Sequence, residues 1–265
     1  MKLTAFCLLV SSALLSSNLS AQQLSAPLAV QQPYTVTSPN GDRQDPYYWL
    51  RDDTRSSPTV LDYLHRENAF ADQYASRYQA LTDTLTSEII GRIKQDDSSV
   101  PYSKGDYSYF SRYETGKEYP IYLRKALKDG SEQVMLDLNE MAKGKSYYAV
   151  SNWQVSPDQN LVAYVEDTSG RRQYTLKIRD LRTGQDLPDA LTGLSGSIAW
   201  AKDSKTLYVV KNDPVTLLST QVLQHTLGQE PASAKLVYEE KDNSFYMGVG
   251  NTTDDNYVVI YTSST

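Results

Sequence analysis

The chain has 265 residues, of which 40% are hydrophobic and 22% are charged, values that are ordinary for a soluble globular protein. This composition excludes intrinsic disorder and a collagen-like fibre, and the single cysteine excludes a disulfide-rich scaffold. The formal net charge of −6 argues against a nucleic-acid partner, because phosphate binding needs a basic surface. The 21 tyrosines favour strands, because tyrosine fits a half-buried β surface.

The first 21 residues have the pattern of an export signal. Lys2 is the only charge before a run of apolar and small residues from Leu3 to Leu15, and Leu19-Ser20-Ala21 suits cleavage. The run is too short and too rich in serine for a spanning helix, although an uncleaved anchor stays an alternative. We therefore predict a signal peptide over 1–21, cleaved after Ala21, and a periplasmic or secreted product without membrane contact after cleavage.

Helical periodicity follows a proline-rich, loop-like stretch that ends near residue 46. Ser57-Pro58 predicts the start of a helix, with Ser57 as the N-cap residue. Apolar or aromatic residues then recur at helical spacing: Val60, Leu61, Leu64, Ala71, Tyr74, Ala75 and Tyr78. A second helical pattern contains Leu81, Leu85, Ile89, Ile90 and Ile93. We predict an N-terminal helical segment over residues 22–95.

From Tyr102 onward the apolar period changes to two, which indicates an antiparallel meander of strands with alternating faces. The pattern repeats along the chain. Three strands that follow similar turns begin at Leu161, Leu207 and Tyr257, which are 46 and 50 residues apart. The strands that close each unit contain Leu138, Leu187 and Val237, which are 49 and 50 residues apart. Two sets of landmarks therefore give the same period.

A period of about 45–50 residues with four short strands is typical of a β-propeller blade. A generic β-sandwich is the alternative, but it does not require equal spacing. The units cover about 100–139, 150–188 and 196–239, and two more strands lie within 245–262. We therefore predict a mainly β fold with about three and a half blades over 96–265. Because such an array leaves an open edge, we expect the chain to be the front of a longer protein.

Few residues form a pattern that indicates catalysis. A serine-hydrolase nucleophile elbow requires G-x-S-x-G, and Gly193-Leu194-Ser195-Gly196 lacks the second glycine in register. The two histidines, His65 and His225, lie in a helical and a strand pattern without a paired nucleophile. We expect structural or surface roles for these residues.

Other motifs also favour structural readings. Asp96-Asp97 and Asp254-Asp255 are interpreted as turn residues, and no His, Cys or carboxylate cluster has metal-ligand spacing. Gly248-Val249-Gly250 lacks the helix that follows a phosphate loop. Asn251-Thr252-Thr253 fits a glycosylation acceptor, a pattern that is common by chance. We therefore predict no metal and no cofactor.

A segment near the N-terminus resembles the prolyl oligopeptidase family of serine peptidases. The string Asp45-Pro46-Tyr47-Tyr48-Trp49-Leu50-Arg51-Asp52-Asp53 is similar to the N-terminal signature of that family. Its continuation, Thr54-Arg55 with Val60-Leu61-Asp62-Tyr63-Leu64 and Glu67-Asn68, is similar to the oligopeptidase B (protease II) branch. Further similar strings are Glu118-Tyr119 with Ile121-Tyr122, Arg171-Arg172-Gln173-Tyr174, Asp213-Pro214-Val215-Thr216-Leu217-Leu218 and Leu236-Val237-Tyr238-Glu239-Glu240-Lys241-Asp242. The similarity covers about residue 34 to the end.

The resemblance implies that a seven-bladed propeller is inserted into an α/β-hydrolase domain and caps its active site. Residues 22–95 would belong to the hydrolase domain, and residues 96–265 would form the first half of the propeller. The catalytic Ser, Asp and His would lie beyond Thr265, so no catalytic residue is assigned. The implied reaction is acyl transfer that cleaves short peptides after Arg or Lys, with the propeller excluding folded proteins by size.

Two functional hypotheses stay open. The first is the N-terminal propeller portion of an exported serine oligopeptidase, with short peptides as substrates and no activity of its own. The second is a periplasmic propeller-type binding module that is complete in itself. The end within a blade and the signature around Trp49 favour the first hypothesis. Oligomeric state and the choice between Arg or Lys and Pro are left open.

Overall fold

The computed structural model of the chain describes residues 25–264. The predicted signal peptide and its cleavage after Ala21 lie outside the described residues. Contacts between residues divide the chain into two compact units, one ending at Ile93 and one beginning at Lys94. The assignment of 22–95 to a hydrolase domain and of 96–265 to a propeller domain stays a prediction.

The first unit is helical. Its elements are β1 (Thr35–Val36), β2 (Arg43–Gln44), a short 3-10 helix (Tyr48–Leu50), α1 (Pro58–Ala75), a 3-10 turn (Ser76–Tyr78) and α2 (Gln79–Arg92). The first helix begins at the predicted proline, and Val60 is its one fully buried side chain. Much of the apolar pattern that predicted the two helices is exposed within this unit, including Leu61, Leu64, Leu81, Leu85 and Ile89.

The second unit consists mainly of strands joined by tight turns. Its elements are β3 (Tyr102–Lys104), β4 (Tyr107–Arg112), β5 (Ile121–Ala126), β6 (Glu132–Asp137), α3 (Leu138–Met141), β7 (Ala149–Val155), β8 (Leu161–Asp167), β9 (Tyr174–Asp180), β10 (Gln185–Asp186), β11 (Leu191–Trp200), β12 (Thr206–Asn212), β13 (Ser219–Thr226), a 3-10 turn (Pro231–Ser233), β14 (Lys235–Glu239), β15 (Phe245–Asn251) and β16 (Val258–Ser264). Each strand pairs antiparallel with its neighbours, as the alternating pattern predicted.

The predicted repeat is confirmed. Blade 1 is the sheet β3-β4-β5-β6, and the fourth blade is represented by the pair β15-β16. Blade 2 consists of β7, β8, β9, β10 and the start of β11, and blade 3 consists of the rest of β11 with β12, β13 and β14. The two blades share strand β11, which changes partner along its length. Leu194 lies opposite Tyr174 of β9 and also opposite Lys211 of β12, whereas Ile198 and the residues after it pair with β12 alone. The outer edge of blade 2 therefore continues directly into the inner strand of blade 3.

The apolar core lies between successive blades. Strand β8 shows why: Val162 and Tyr164 pack in the cluster shared with blade 1. Leu161, Ala163 and Val165 of the same strand pack in the cluster shared with blade 3. A third cluster joins blades 3 and 4 and contains Ala199, Val210, Val222, Met247 and Val249. Each middle blade therefore buries both of its faces.

This two-sided burial corrects one expectation. The blade strands were expected to alternate between an apolar and a polar face, and β9 does alternate between buried and half-buried positions. In β8, by contrast, every residue except Glu166 is buried. The reason is that a strand with a blade packed on each side has no solvent face, as in a parallel sheet covered on both sides.

The turn between the first and second strands of a blade, here called the A–B turn, repeats closely in blades 2, 3 and 4. Its six residues are 156–161, 201–206 and 252–257, and in each the first backbone N–H donates to the last carbonyl. The residue at the fourth position is left-handed, with φ of 63° at Gln159, 56° at Ser204 and 55° at Asp255. Leu161 and Tyr257 therefore occupy the same position, the last residue of the A–B turn. Leu207 lies one residue after Thr206, which occupies that position in blade 3.

The A–B turn of blade 1 is shorter and depends on Gly105. This residue has φ of 60°, a conformation that favours glycine. The amide of Gln159 from blade 2 lies against it, donating to Lys104 O and accepting from Asp106 N. A Cβ at position 105 would collide with that amide. Glycine is therefore required both for the backbone and for contact between the two blades.

We predict that Gly105→Ala destabilises the protein more than Gly116→Ala does. Gly116 also has positive φ, at 78°, but no atom lies within 4 Å of the Cβ that would be added there. Gly116→Ala therefore bears only backbone strain, about 1 kcal/mol, whereas Gly105→Ala also displaces Gln159. Thermal unfolding of both variants measures the difference. Equal losses would show that the contact with Gln159 contributes nothing.

Candidate functional site

The family-like segment around Trp49 is a structural motif of the first unit. The indole Nε1 of Trp49 donates to the carbonyl of Val30 at 2.7 Å, across 19 residues of chain. The rings of Tyr34 and Tyr48 stack with their centroids 4.1 Å apart. These contacts hold the extended N-terminal stretch against the short 3-10 helix, and none of them presents a reactive group.

Asp52, within the same segment, caps helix α1. Its Oδ2 accepts from the backbone N–H groups of Ser56 and Ser57, both at 2.7 Å, and its Oδ1 accepts from the N–H and hydroxyl of Thr54. Ser57 occupies the predicted N-cap position, but its hydroxyl makes no capping bond. The predicted N-cap position is therefore confirmed, but the capping acceptor is the Asp52 carboxylate and not the Ser57 hydroxyl. The Asp52 carboxylate thus binds the backbone N–H of the N-cap residue and fixes the turn that leads into the helix.

The serine and the two histidines considered for catalysis lie in separate places. Ser195 is in β11, where its hydroxyl accepts from the N–H of Ser197. His65 is exposed on α1, and His225 is fully buried in β13. Gly196, beside Ser195, lets β7 approach closely, since a Cβ there would lie 2.6 Å from the Ser151 hydroxyl. Among residues 25–264, the chain does not bring a serine and a histidine together as a catalytic pair.

The structure reveals a buried His–Asp pair that the sequence did not indicate. Nε2 of His225 lies 2.9 Å from Oδ1 of Asp189, and the backbone N–H of Gly228 donates to the same oxygen. Asp189 is in the loop between β10 and β11, 36 residues away in sequence. The pair fastens blade 2 to the third strand of blade 3. It is closed to solvent and lacks a nucleophile, so its role is structural.

A second buried polar cluster lies between blades 1 and 2. Burial, and then the charge of Glu166, raise the pKa of the Tyr148 hydroxyl far above its ordinary value. Lys145 Nζ lies 4.0 Å from the centre of the Tyr148 ring and 3.6 Å from the Glu166 carboxylate. Burial likewise raises the pKa of Tyr164, whose hydroxyl donates to Asp186. These phenols stay protonated at neutral pH and cannot act as bases.

The remaining motifs have structural roles. Asp97 accepts from Lys94, and Asp254 accepts from the Thr252 hydroxyl and from Asn256 within its turn. Asn251, the acceptor of the possible glycosylation motif, donates its side-chain amide to the carbonyl of Trp200 at 2.7 Å. That amide is therefore occupied by a contact between blades.

Across residues 25–264, no three His, Cys, Asp or Glu side chains are grouped closely enough to hold a metal ion. None of the helices in that range combines the length and the apolar composition needed to cross a bilayer.

Comparison with protein families identifies a match that covers most of the chain. Residues 27–265 match the family described as prolyl oligopeptidase, N-terminal beta-propeller domain. Among curated proteins, the chain is 42% identical to dipeptidyl aminopeptidase BI of Pseudoxanthomonas mexicana, over 92% of this chain and 36% of that protein. It is 31% identical to protease 2 of Moraxella lacunata, over 90% of this chain and 35% of that protein.

Solved structures agree with these relatives. Oligopeptidase B from Leishmania major superposes with a TM-score of 0.84 and 30% identity, over 91% of this chain and 36% of that one. Oligopeptidase B from Trypanosoma brucei, in a closed form with covalently bound antipain, gives a TM-score of 0.82 and 28% identity, over 90% and 36%. The chain thus spans little more than a third of the length of the proteins that it matches.

We predict that Asp52→Asn lowers the stability of the first unit, because one amide oxygen cannot replace two carboxylate oxygens. The N–H of Ser57, and next the Thr54 hydroxyl, lower the pKa of Asp52 in the folded chain. Its stabilising effect is therefore present at neutral pH and is lost as the pH falls below the ordinary carboxyl range. The melting temperatures of wild type and Asp52→Asn should differ at pH 7 and converge towards pH 3.

Asp53→Asn is the matched control, since the Asp53 side chain is 77% exposed and contacts only Arg51. It should follow the wild type at every pH. A gap between wild type and Asp52→Asn that stays constant from pH 7 to pH 3 would contradict the capping role of the carboxylate.

Proposed function

Since this chain belongs to the prolyl oligopeptidase family of serine peptidases, we propose that it is the substrate-gating part of an oligopeptidase that cleaves short peptides after Arg or Lys. The chain corresponds to the family's N-terminal propeller domain. The observation that carries the proposal is the similarity to oligopeptidase B, with a TM-score of 0.84 over 91% of the chain. The signature around Trp49 and Asp52 supports the same branch of the family.

The proposed contribution of this chain is size selection. Blades that bury both faces against their neighbours form a stiff wall, because close-packed interiors deform little. Such a wall admits a flexible peptide and excludes a folded protein. The exposed apolar face of α1 and α2, which includes Leu61, Leu64 and Leu85, is proposed to pack against the catalytic domain.

The proposed chemistry belongs to groups outside the described chain. In acyl transfer a serine attacks the peptide carbonyl, a histidine accepts its proton, and backbone donors stabilise the oxyanion. We propose that these groups lie beyond Thr265. A desolvated carboxylate there would bind the basic side chain of the substrate.

A dipeptidyl aminopeptidase is the second candidate, favoured by the 42% identity to dipeptidyl aminopeptidase BI. The two activities differ in their use of the substrate's amino terminus. An endopeptidase cleaves an acyl-blocked peptide, whereas an enzyme that releases dipeptides recognises the free α-amino group. Paired chromogenic substrates, identical except for an N-terminal blocking group, distinguish the two.

The self-contained binding module remains as a third candidate. Coding sequence downstream of Thr265 distinguishes it from the peptidase. Further blades followed by G-x-S-x-G would support the peptidase. A stop codon together with a stable, soluble product would support the module.

We predict that the 265-residue chain does not hydrolyse Arg- or Lys-linked chromogenic peptides, and that a longer product containing the proposed catalytic domain does. The reason is that the described residues contain no serine within reach of a histidine. Turnover by equal amounts of the two purified proteins is the measurement. Hydrolysis by the shorter chain that a serine-directed phosphonate abolishes would reveal a nucleophile within it.

We also propose that the protein is exported and that residues 1–21 are removed. N-terminal sequencing of the protein from a periplasmic extract is expected to begin at Gln22. Changing Ala21 to a bulky residue should block processing, since the cleavage site requires small side chains. Recovery of the protein in the cytosol with Met1 intact would contradict this proposal.

A further inference from the structure

The A–B turns of blades 2 to 4 lie at one end of the strands that line the propeller axis. The inner strands β7, β11 and β15 are fastened side by side by hydrogen bonds. Asn152 donates to Gly196 O, Trp200 Nε1 donates to Gln154 O, and Asn251 donates to Trp200 O. The turns that follow these strands therefore meet around the axis.

Contacts run from each of these turns to the next. Gln159 in blade 2 binds the backbone of the blade 1 turn at Lys104 and Asp106. The N–H of Asp158 donates to the Ser204 hydroxyl of blade 3 at 3.0 Å. Lys202 of blade 3 donates to the Asn256 side chain of blade 4 at 2.8 Å.

One further contact closes this circuit. Nζ of Lys104 in blade 1 lies 2.8 Å from Oδ2 and 3.0 Å from Oδ1 of Asp255 in blade 4. The two residues are 151 positions apart, and two complete blades separate them in the array. Asp255 occupies the left-handed fourth position of its A–B turn. The residues at this position in blades 2 and 3, Gln159 and Ser204, contact the preceding blade. Asp255 contacts blade 1 instead, so the Lys104–Asp255 pair spans the space that the A–B turns surround.

We propose that Lys104 and Asp255 form an ionic clasp that fixes the first blade directly to the fourth and closes this end of the propeller. In a repeat protein each unit normally contacts only its neighbours, so the array can bend at every joint. A contact between the first and fourth blades removes that freedom. Hydrogen-bonded atoms 2.8 Å apart also leave no space for a peptide chain between them.

The clasp is expected to respond to salt. The Lys104 side chain is 50% exposed and that of Asp255 is 25% exposed, so solvent ions reach both charges. The screening length falls from about 10 Å at 0.1 M salt to about 3 Å at 1 M. The clasp should therefore be mainly closed at low salt and open more often at high salt. For peptide access, this inference rests on the proposed function, whereas the ion pair itself does not.

A zero-length cross-link tests the clasp without any activity assay. A carbodiimide activates the carboxylate of Asp255, and the amine of Lys104 displaces the urea to form an amide, with net loss of water. Peptide mapping of monomeric chain by mass spectrometry should find Lys104 joined to Asp255, with a yield that falls several-fold between 0.1 M and 1 M salt. The local pair Lys94–Asp97, at 3.1 Å, reports that the reagent is active.

Two variants complete the test. Asp255→Asn should abolish the cross-link, and exchange of the two residues, Lys104→Asp with Asp255→Lys, should restore it. Mixing light and isotopically heavy chains distinguishes links within one chain from links between two. A product that contains the Lys94–Asp97 link but lacks the Lys104–Asp255 link would overturn the proposal. So would a Lys104–Asp255 link found only between light and heavy chains.

Discussion

The second unit depends on one constraint: each middle blade must bury both of its faces. Strand β8 meets this constraint by directing Val162 and Tyr164 towards blade 1 and Ala163 and Val165 towards blade 3. A single blade with apolar residues on both faces cannot bury them by itself, and packing against neighbouring blades buries them. Stability therefore arises between blades, and polar contacts such as the buried pair of His225 and Asp189 also join one blade to the next.

Sequence patterns predicted the blades well because the turns carry strong local signals. Asp158, Asp203 and Asp254 each accept from backbone N–H groups two residues further on, which is a local preference of aspartate in turns. The two-sided burial of β8 was not predicted, because an alternating pattern shows which residues share a face but not what covers the opposite face. The capping role of Asp52 was also missed, since it acts across four and five residues from outside the usual cap position.

Contacts between side chains of different blades could not be predicted from a single sequence. Asp189 and His225 meet because blades 2 and 3 pack together, and no spacing rule relates the two residues. Lys104 and Asp255 are even farther apart in sequence, and they meet only because the array of blades is curved. The proposed peptidase function likewise rests on resemblance to a family and not on residues of the described chain. The family match then established the fold and the family, and it left the substrate as a proposal.

Strand β11 has a consequence for how the unit responds to mechanical load. Because Leu194 pairs on one side with β9 and on the other with β12, backbone pairing links blade 2 to blade 3, although the register is irregular on both sides of Leu194. Blade 1 is attached to blade 2 mainly through side chains. Under tension, blade 1 can therefore detach once its side-chain contacts with blade 2 are lost. Separation of blades 2 and 3 also requires β11 to lose its backbone hydrogen bonds to β9 or to β12. The joint between blades 1 and 2 is therefore weaker than the joint between blades 2 and 3.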